Sequence, residues 1–379
     1  MIRFTAALIA LLLASSGKRE LDPTRAQRFV LAPHRVVERW SPTPLPKAPR
    51  IRWRIRVAGG IVHPPGVMAD GTFLVAHALP NVAQYDGAGR LQWTTRLGAS
   101  AAATSPIALS DGNRLVLTES GEAVCLSAKG AVQWSRALPL GSFERAPILS
   151  TGVEGSLLVA DGRRLVRLDG GGEVAHVSEY EQDIRAAFGG PGPSLVIGSL
   201  GGVAVVGADG RLTTRVDFGG AVDAVVRPSE TRLLAVVDGK RLVELDLRSR
   251  AHHTRFLDPS LSLGTAFVLN TRREARLIAS GDLLLAFGAD GSERFRVPLP
   301  STPGSAAQRS SADLTFDDEN ATLVVRAGAD VTGVHADGTV VRVEGTACAD
   351  PLRPVSLTGR AVLLSCRSGV LVRADDTPP

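Results

Sequence analysis

One turn-and-strand unit returns along this chain with a period near 40 residues. Such a period confines an all-β chain to a repeat architecture. The unit is clearest at Tyr85-Asp86-Gly87-Ala88-Gly89-Arg90-Leu91-Gln92-Trp93, where an apolar strand enters a tight turn and a second strand leaves with a tryptophan. Glycine at the end of the turn reaches positive φ without steric cost. The unit recurs about 41 residues later as Cys125-Leu126-Ser127-Ala128-Lys129-Gly130-Ala131-Val132-Gln133-Trp134. Equivalent turns follow around Asp169–Gly172, Asp209-Gly210, Asp246–Ser249, Asp290-Gly291 and Asp337-Gly338, spaced roughly 38–47 residues apart.

An apolar strand precedes each turn, and a stronger one lies about ten residues earlier. The stronger strands number eight: Phe73–Val75, Leu115–Leu117, Leu157–Val159, Leu195–Ile197, Leu233–Val236, Leu277-Ile278, Leu323–Val325 and Val362–Leu364. Short apolar runs bounded by Gly, Asp and Pro read as strands buried on both faces. Each unit supplies four strands, and a four-stranded sheet of this size cannot bury both faces alone. Radial stacking buries them. No stretch combines a sustained helical period with capping residues.

Counting strands predicts how the ring closes. The C-terminal unit has three, Arg353–Leu357, Arg360–Ser365 and Gly369–Ala374, and lacks an outer one. An unclaimed outer strand stands near the N-terminus, Ile51–Val57, with Trp53 where the others carry Trp93 and Trp134. The expected fold is an all-β, eight-bladed propeller of four-stranded antiparallel blades. One N-terminal and three C-terminal strands close it. Period two places Ile51, Trp53, Ile55 and Val57 on one face of the closing strand and four arginines on the other.

The chain has 379 residues, and eight blades consume nearly all of it. Met1-Ile2-Arg3, the apolar run Phe4–Ala14 and the small residues ending at Gly17 read as a signal peptide over 1–17. The run is too short to span a bilayer. No cysteine follows it to accept a lipid. The expected location is periplasmic or secreted, with no transmembrane span after cleavage. Residues 18–50 read as a basic, Pro-rich linker, and 51–379 as the propeller. From Lys18 to Arg56, eleven Lys/Arg face Glu20, Asp22 and Glu38, a net of +8 in a chain whose total is +5. Allowing for Arg3, residues 57–379 therefore carry −4. The basic arm suits peripheral contact with an anionic surface or an acidic envelope polymer. The lack of interleaved aromatic and basic residues argues against nucleic acid.

Few constellations carry chemistry. There is no Gly-x-Ser-x-Gly, His-Glu-x-x-His, Cys-x-x-Cys or phosphate-binding loop. His252-His253 point to opposite faces of a strand. Asp317–Asn320 is acidic but matches no calcium-loop spacing. Cys125 reads as a small core residue. Cys348 and Cys366 flank one hairpin and could be bridged or free.

The turn with Asp86 and Gly89 followed by Trp93 resembles the repeat of quinoprotein-like, or PQQ-like, eight-bladed propellers. Ala128, Gly130 and Trp134 match in the second blade, and Trp53 in the closing strand. Later units depart at the Trp position, with His176, Thr214, Phe295 and Arg342. The resemblance spans roughly residues 51–375. It implies that Trp53, Trp93 and Trp134 dock between blades on turns such as Asp86–Gly89 and the one ending at Gly130. That family includes dehydrogenases that use PQQ and calcium, with adjacent bridged cysteines and a Glu, Asn and Asp set. Here no two cysteines are adjacent. It also includes non-catalytic exported scaffolds, to which this chain is nearer. The expected function is an exported, non-catalytic propeller without a cofactor, which binds an unknown protein or envelope polymer. The alternatives are a PQQ- and calcium-dependent oxidoreductase and a polysaccharide-binding or -cleaving propeller. Loops of changing length, such as Glu179–Asp183, Asp258–Ser262 and Pro300–Ala307, are where recognition is expected.

Overall fold

In the computed structural model every described element is a β-strand. The description covers residues 29–32, 35–38 and 50–375, apart from 69, 110, 144–146, 152–155, 170, 190–194, 208–210, 257–262, 270–274, 280–282, 289–291, 300–312, 317–321, 326–330, 336–338, 344, 347 and 358–360. Within the stretch read as a linker, Phe29–Ala32 pairs antiparallel with Arg35–Glu38.

The remaining strands form eight four-stranded antiparallel sheets. In the first, the strands run from inner to outer as Gly66–Val67, Phe73–Ala76, Asn81–Tyr85 and Leu91–Arg96. Innermost strands of successive blades lie side by side, as Gly66–Val67 does with Ile107–Ala108 and Ala186–Gly189 with Val222–Val226. The eighth sheet joins Arg50–Arg56 to Val370–Asp375, Ala361–Ser365 and Val355–Leu357. One N-terminal strand and three C-terminal strands thus close the ring.

Burial explains the strand order. Second strands such as Phe73–Ala76 and Arg114–Leu117 are buried throughout, because a neighbouring blade covers each face. Outer strands alternate between exposed and half-buried residues, because the blades splay apart at the rim. The core lies between blades. Val57, Ile61, Leu363 and Leu371 of the closing region pack with Val67, Phe73, Ala83 and Tyr85 of the first blade. Trp53 stacks on Phe73 and Phe73 on Tyr85, with centroids 6.1 and 5.6 Å apart. This aromatic column crosses the closing joint.

The expected alternation along the closing strand needs correction. A β-bulge sits at Arg52, so Ile51 pairs with Ala374 and Trp53 with the adjacent Arg373. Ile51 therefore shares a face with Arg54 and Arg56, while Arg50 shares the face of Trp53. All four arginines are exposed, as expected, but they do not share one face. The same shift, one residue before the Trp position, recurs in five other blades.

Candidate functional site

The ring has two unlike faces. One carries the turns from third to outer strand, including Asp86–Gly89. The other carries the second-to-third turns and the crossovers from each outer strand to the next blade.

On the first face, the turns of the first three blades are each built around one side chain. Asp86 Oδ1 accepts from the backbone N–H of Ala88 and Arg90, both at 2.9 Å. Asp169 does the same for Gly171 and Glu173. Ser127 substitutes its hydroxyl in the second blade, accepting from Lys129 and Ala131. The turns end at Gly89, Gly130 and Gly172, with φ of 81°, 81° and 81°. The preceding blade's tryptophan covers each glycine. A Cβ on Gly89 would lie 3.2 Å from Trp53, on Gly130 2.6 Å from Trp93, and on Gly172 2.2 Å from Trp134. The indole N–H of Trp53 donates to the Gly87 carbonyl at 3.2 Å, and that of Trp93 to the Ala128 carbonyl at 3.1 Å. Thr95 adds a bond to the Gly130 carbonyl at 2.6 Å. Arg373 also donates to the Gly87 carbonyl. In the third blade, His176 bonds to Ser178 of its own strand instead.

The crossover face holds the titratable groups that sequence reasoning missed. The His63 ring donates from Nε2 to the Ala102 carbonyl at 3.0 Å, linking the crossover into the first blade to the crossover leaving it. Burial, opposed by that hydrogen bond, pulls its pKa down to about 4. Burial also lowers the pKa of His77, on the neighbouring turn. Both rings are therefore neutral near pH 7, and neither supplies a cation there. Between the fourth and fifth blades, Arg185 pairs with Asp223 at 2.8 Å, and Arg241 with Asp238 at 2.8 Å. Asp223 also accepts from Gly239 N, and Asp238 from Ala221 N, each at 2.8 Å. The Arg241 bond, with that of Ala221, holds the Asp238 carboxyl below the usual range. Asp238 sits at φ 53°, a left-handed conformation that this network stabilises.

Cys348 and Cys366 are bridged, with Cα atoms 6.0 Å apart, within ordinary disulfide reach. Pro351 lies opposite Cys366, and the chain bends back so that Cys348 meets it. Cys125 is buried, and its thiol is pushed up to about 11 by burial first. His252 meets Phe218 edge-on, while His253 pairs with Glu244 on the other strand face. Among the described residues, no three His, Cys, Asp or Glu side chains converge as a metal site. Asp317–Asn320, Asp258–Ser262 and Pro300–Ala307 lie outside the described residues.

These geometries agree with what comparison finds. The family model described as outer membrane protein assembly factor BamB matches residues 47–163 and 80–222. That model describes a PQQ-like repeat, and the residues it matches include the turns that carry the docked tryptophans. BamB from Moraxella catarrhalis has a similar structure, with TM-score 0.61 at 14% identity, over 86% of this chain and 98% of that one. Sqt1 from Saccharomyces cerevisiae gives TM-score 0.64 at 13% identity, over 86% and 98%. Virginiamycin B lyase from Staphylococcus aureus gives 0.56 at 10%, over 86% and 99%. At these identities the likeness shows the fold. No curated protein matches by sequence. Among the described residues, no helix is long and apolar enough to cross a membrane.

Proposed function

We propose that this chain is an exported, non-catalytic propeller that binds a protein partner through its crossover face. One observation carries the reading. The residues repeated from blade to blade, Asp86, Gly89, Gly130 and the three tryptophans, all meet at seams between blades. They hold the ring and leave recognition to whatever varies. The crossover face varies most. It displays Leu79 and Leu200 at the tips of two second-to-third turns, each 55% exposed. The match to a family model for an assembly factor supports a binding role. An apolar side chain on a rigid turn is a ready anchor for a partner.

A PQQ- and calcium-dependent oxidoreductase fits the residues poorly. The bridged cysteines are 18 positions apart, and the third is buried within a blade. The test is affinity capture from cell envelopes, with the protein and its Leu79→Glu/Leu200→Glu variant as baits. The variant is expected to fold normally and to lose most of the captured partner. Dye reduction with an alcohol or sugar, together with a thermal shift on adding PQQ and calcium, would replace this reading with the dehydrogenase.

A further inference from the structure

We infer that the closing blade presents a cationic rim that seats this protein on an anionic lipid surface. The eight outer strands occupy equivalent places, so they can be compared directly. Six of them carry at most one Lys or Arg, and Glu293–Pro298 carries two. The closing strand Arg50–Arg56 carries four in seven residues.

Edge protection alone does not explain this. Charged side chains keep an exposed sheet edge from pairing with other chains. The other seven rims achieve that with few charges, and mostly neutralise them. Arg136 pairs with Glu173, Arg215 with Glu181, Arg255 with Glu244 and Arg296 with Glu293. By contrast, among the described residues no carboxylate lies within ion-pair distance of Arg50, Arg54 or Arg56. Among the described residues, Arg54 donates to the neutral Gly345 carbonyl, at 2.6 Å, a bond that does not cancel its charge.

The bulge at Arg52 shapes the rim. It turns Arg50 to one face of the strand and Arg54 and Arg56 to the other, so cations flank the edge on both sides. At about 3.4 Å per residue, they extend over roughly 20 Å. The rim also continues the basic stretch from Lys18, in a protein whose remaining residues carry a net negative charge. Among the outer strands, positive charge is thus concentrated on the closing one. A flat anionic surface would meet that strand while the rest of the ring is repelled. Polybasic segments bind such surfaces by this means, additively in charge and weakening with salt. Exposed apolar Ile51, on the face with Arg54 and Arg56, fits the interfacial zone of a bilayer.

The experiment is flotation of the full chain with phosphatidylcholine vesicles containing or lacking phosphatidylglycerol, at low and high sodium chloride. The protein should float only with the anionic vesicles at low salt. The triple variant Arg50→Gln/Arg54→Gln/Arg56→Gln should weaken partitioning by about tenfold or more. The Arg→Lys triple should retain it, which excludes misfolding as the cause. Neutralising Arg25, Arg28 and Arg35 instead should have the smaller effect. Equal binding by wild type and the Gln triple, or no flotation with anionic vesicles, would overturn the inference. So would selective retention by a soluble polyanion such as heparin without vesicle binding. Partner capture through Leu79 and Leu200 is a separate readout, so either proposal can fail alone.

Discussion

Gly130 and Gly98 share a backbone problem but not a neighbourhood. Their φ angles are 81° and 93°, and both would strain an L-residue. A Cβ on Gly130 meets Trp93, whereas one on Gly98 meets nothing within 4 Å. Gly98→Ala should therefore cost only the left-handed penalty of about 1–2 kcal/mol. Gly130→Ala should cost about 1–3 kcal/mol more, because the indole must also move. Urea denaturation of the two variants measures the difference, and equal costs would remove the docking role from Trp93. His63 yields a pH prediction. Its folded pKa, about 4, lies below the ordinary 6.5, so the folded state resists a proton that the unfolded chain accepts. Stability is then full above pH 6.5 and falls as pH drops towards 4, by at most about 3 kcal/mol. The ring keeps some contact with water, which reduces that figure. Stability of wild type and His63→Gln should diverge at pH 7 and converge near pH 4; parallel curves would contradict this. The tryptophan–glycine seam was legible in the sequence because it repeats. His63 was not, since its burial depends on Ala102, which no local pattern connects to it.

At the scale of strands, the bulge shows where periodicity stops informing. Reading Ile51–Val57 at period two assumes one partner per residue. The register shifts at Arg52, because the adjacent Ala374 and Arg373 pair with Ile51 and Trp53. Only the pairing strand, more than three hundred residues away in sequence, reveals that. Strand counting nonetheless identified the closing strand, since a missing outer strand at one end and a spare one at the other leave a single pairing. Deleting residues 51–57 removes Trp53 from its stack on Phe73 and bares the edge of Val370–Asp375. The deletion should lower the melting temperature by several degrees and promote aggregation, as light scattering would report. An unchanged melting temperature and solubility would mean that the strand does not close the ring.

At the scale of the whole molecule, the blade count was legible because eight apolar strands mark eight sheets. The division of labour between the two ring faces was not. It depends on which strand ends and turns the topology gathers, and the Arg185–Asp223 and Arg241–Asp238 pairs join segments whose sequences carry no shared pattern. The family match covers the closing strand and the first four blades, from 47 to 222, and so includes His176 and Thr214 at the Trp position as well as the three tryptophans. The pairing of Arg50–Arg56 with Val370–Asp375 also sets an order in time. A ribosome must deliver nearly the whole chain before the last sheet can assemble, so the first-made outer strand waits longest for its partner. Local hairpins within each blade form early, and this one long-range joint comes last, as topology-limited folding requires. A contact absent from the folding transition state acts mainly on the rate of unfolding. The joint therefore works as a latch: weakening it should shorten the lifetime of the closed ring while barely slowing its formation.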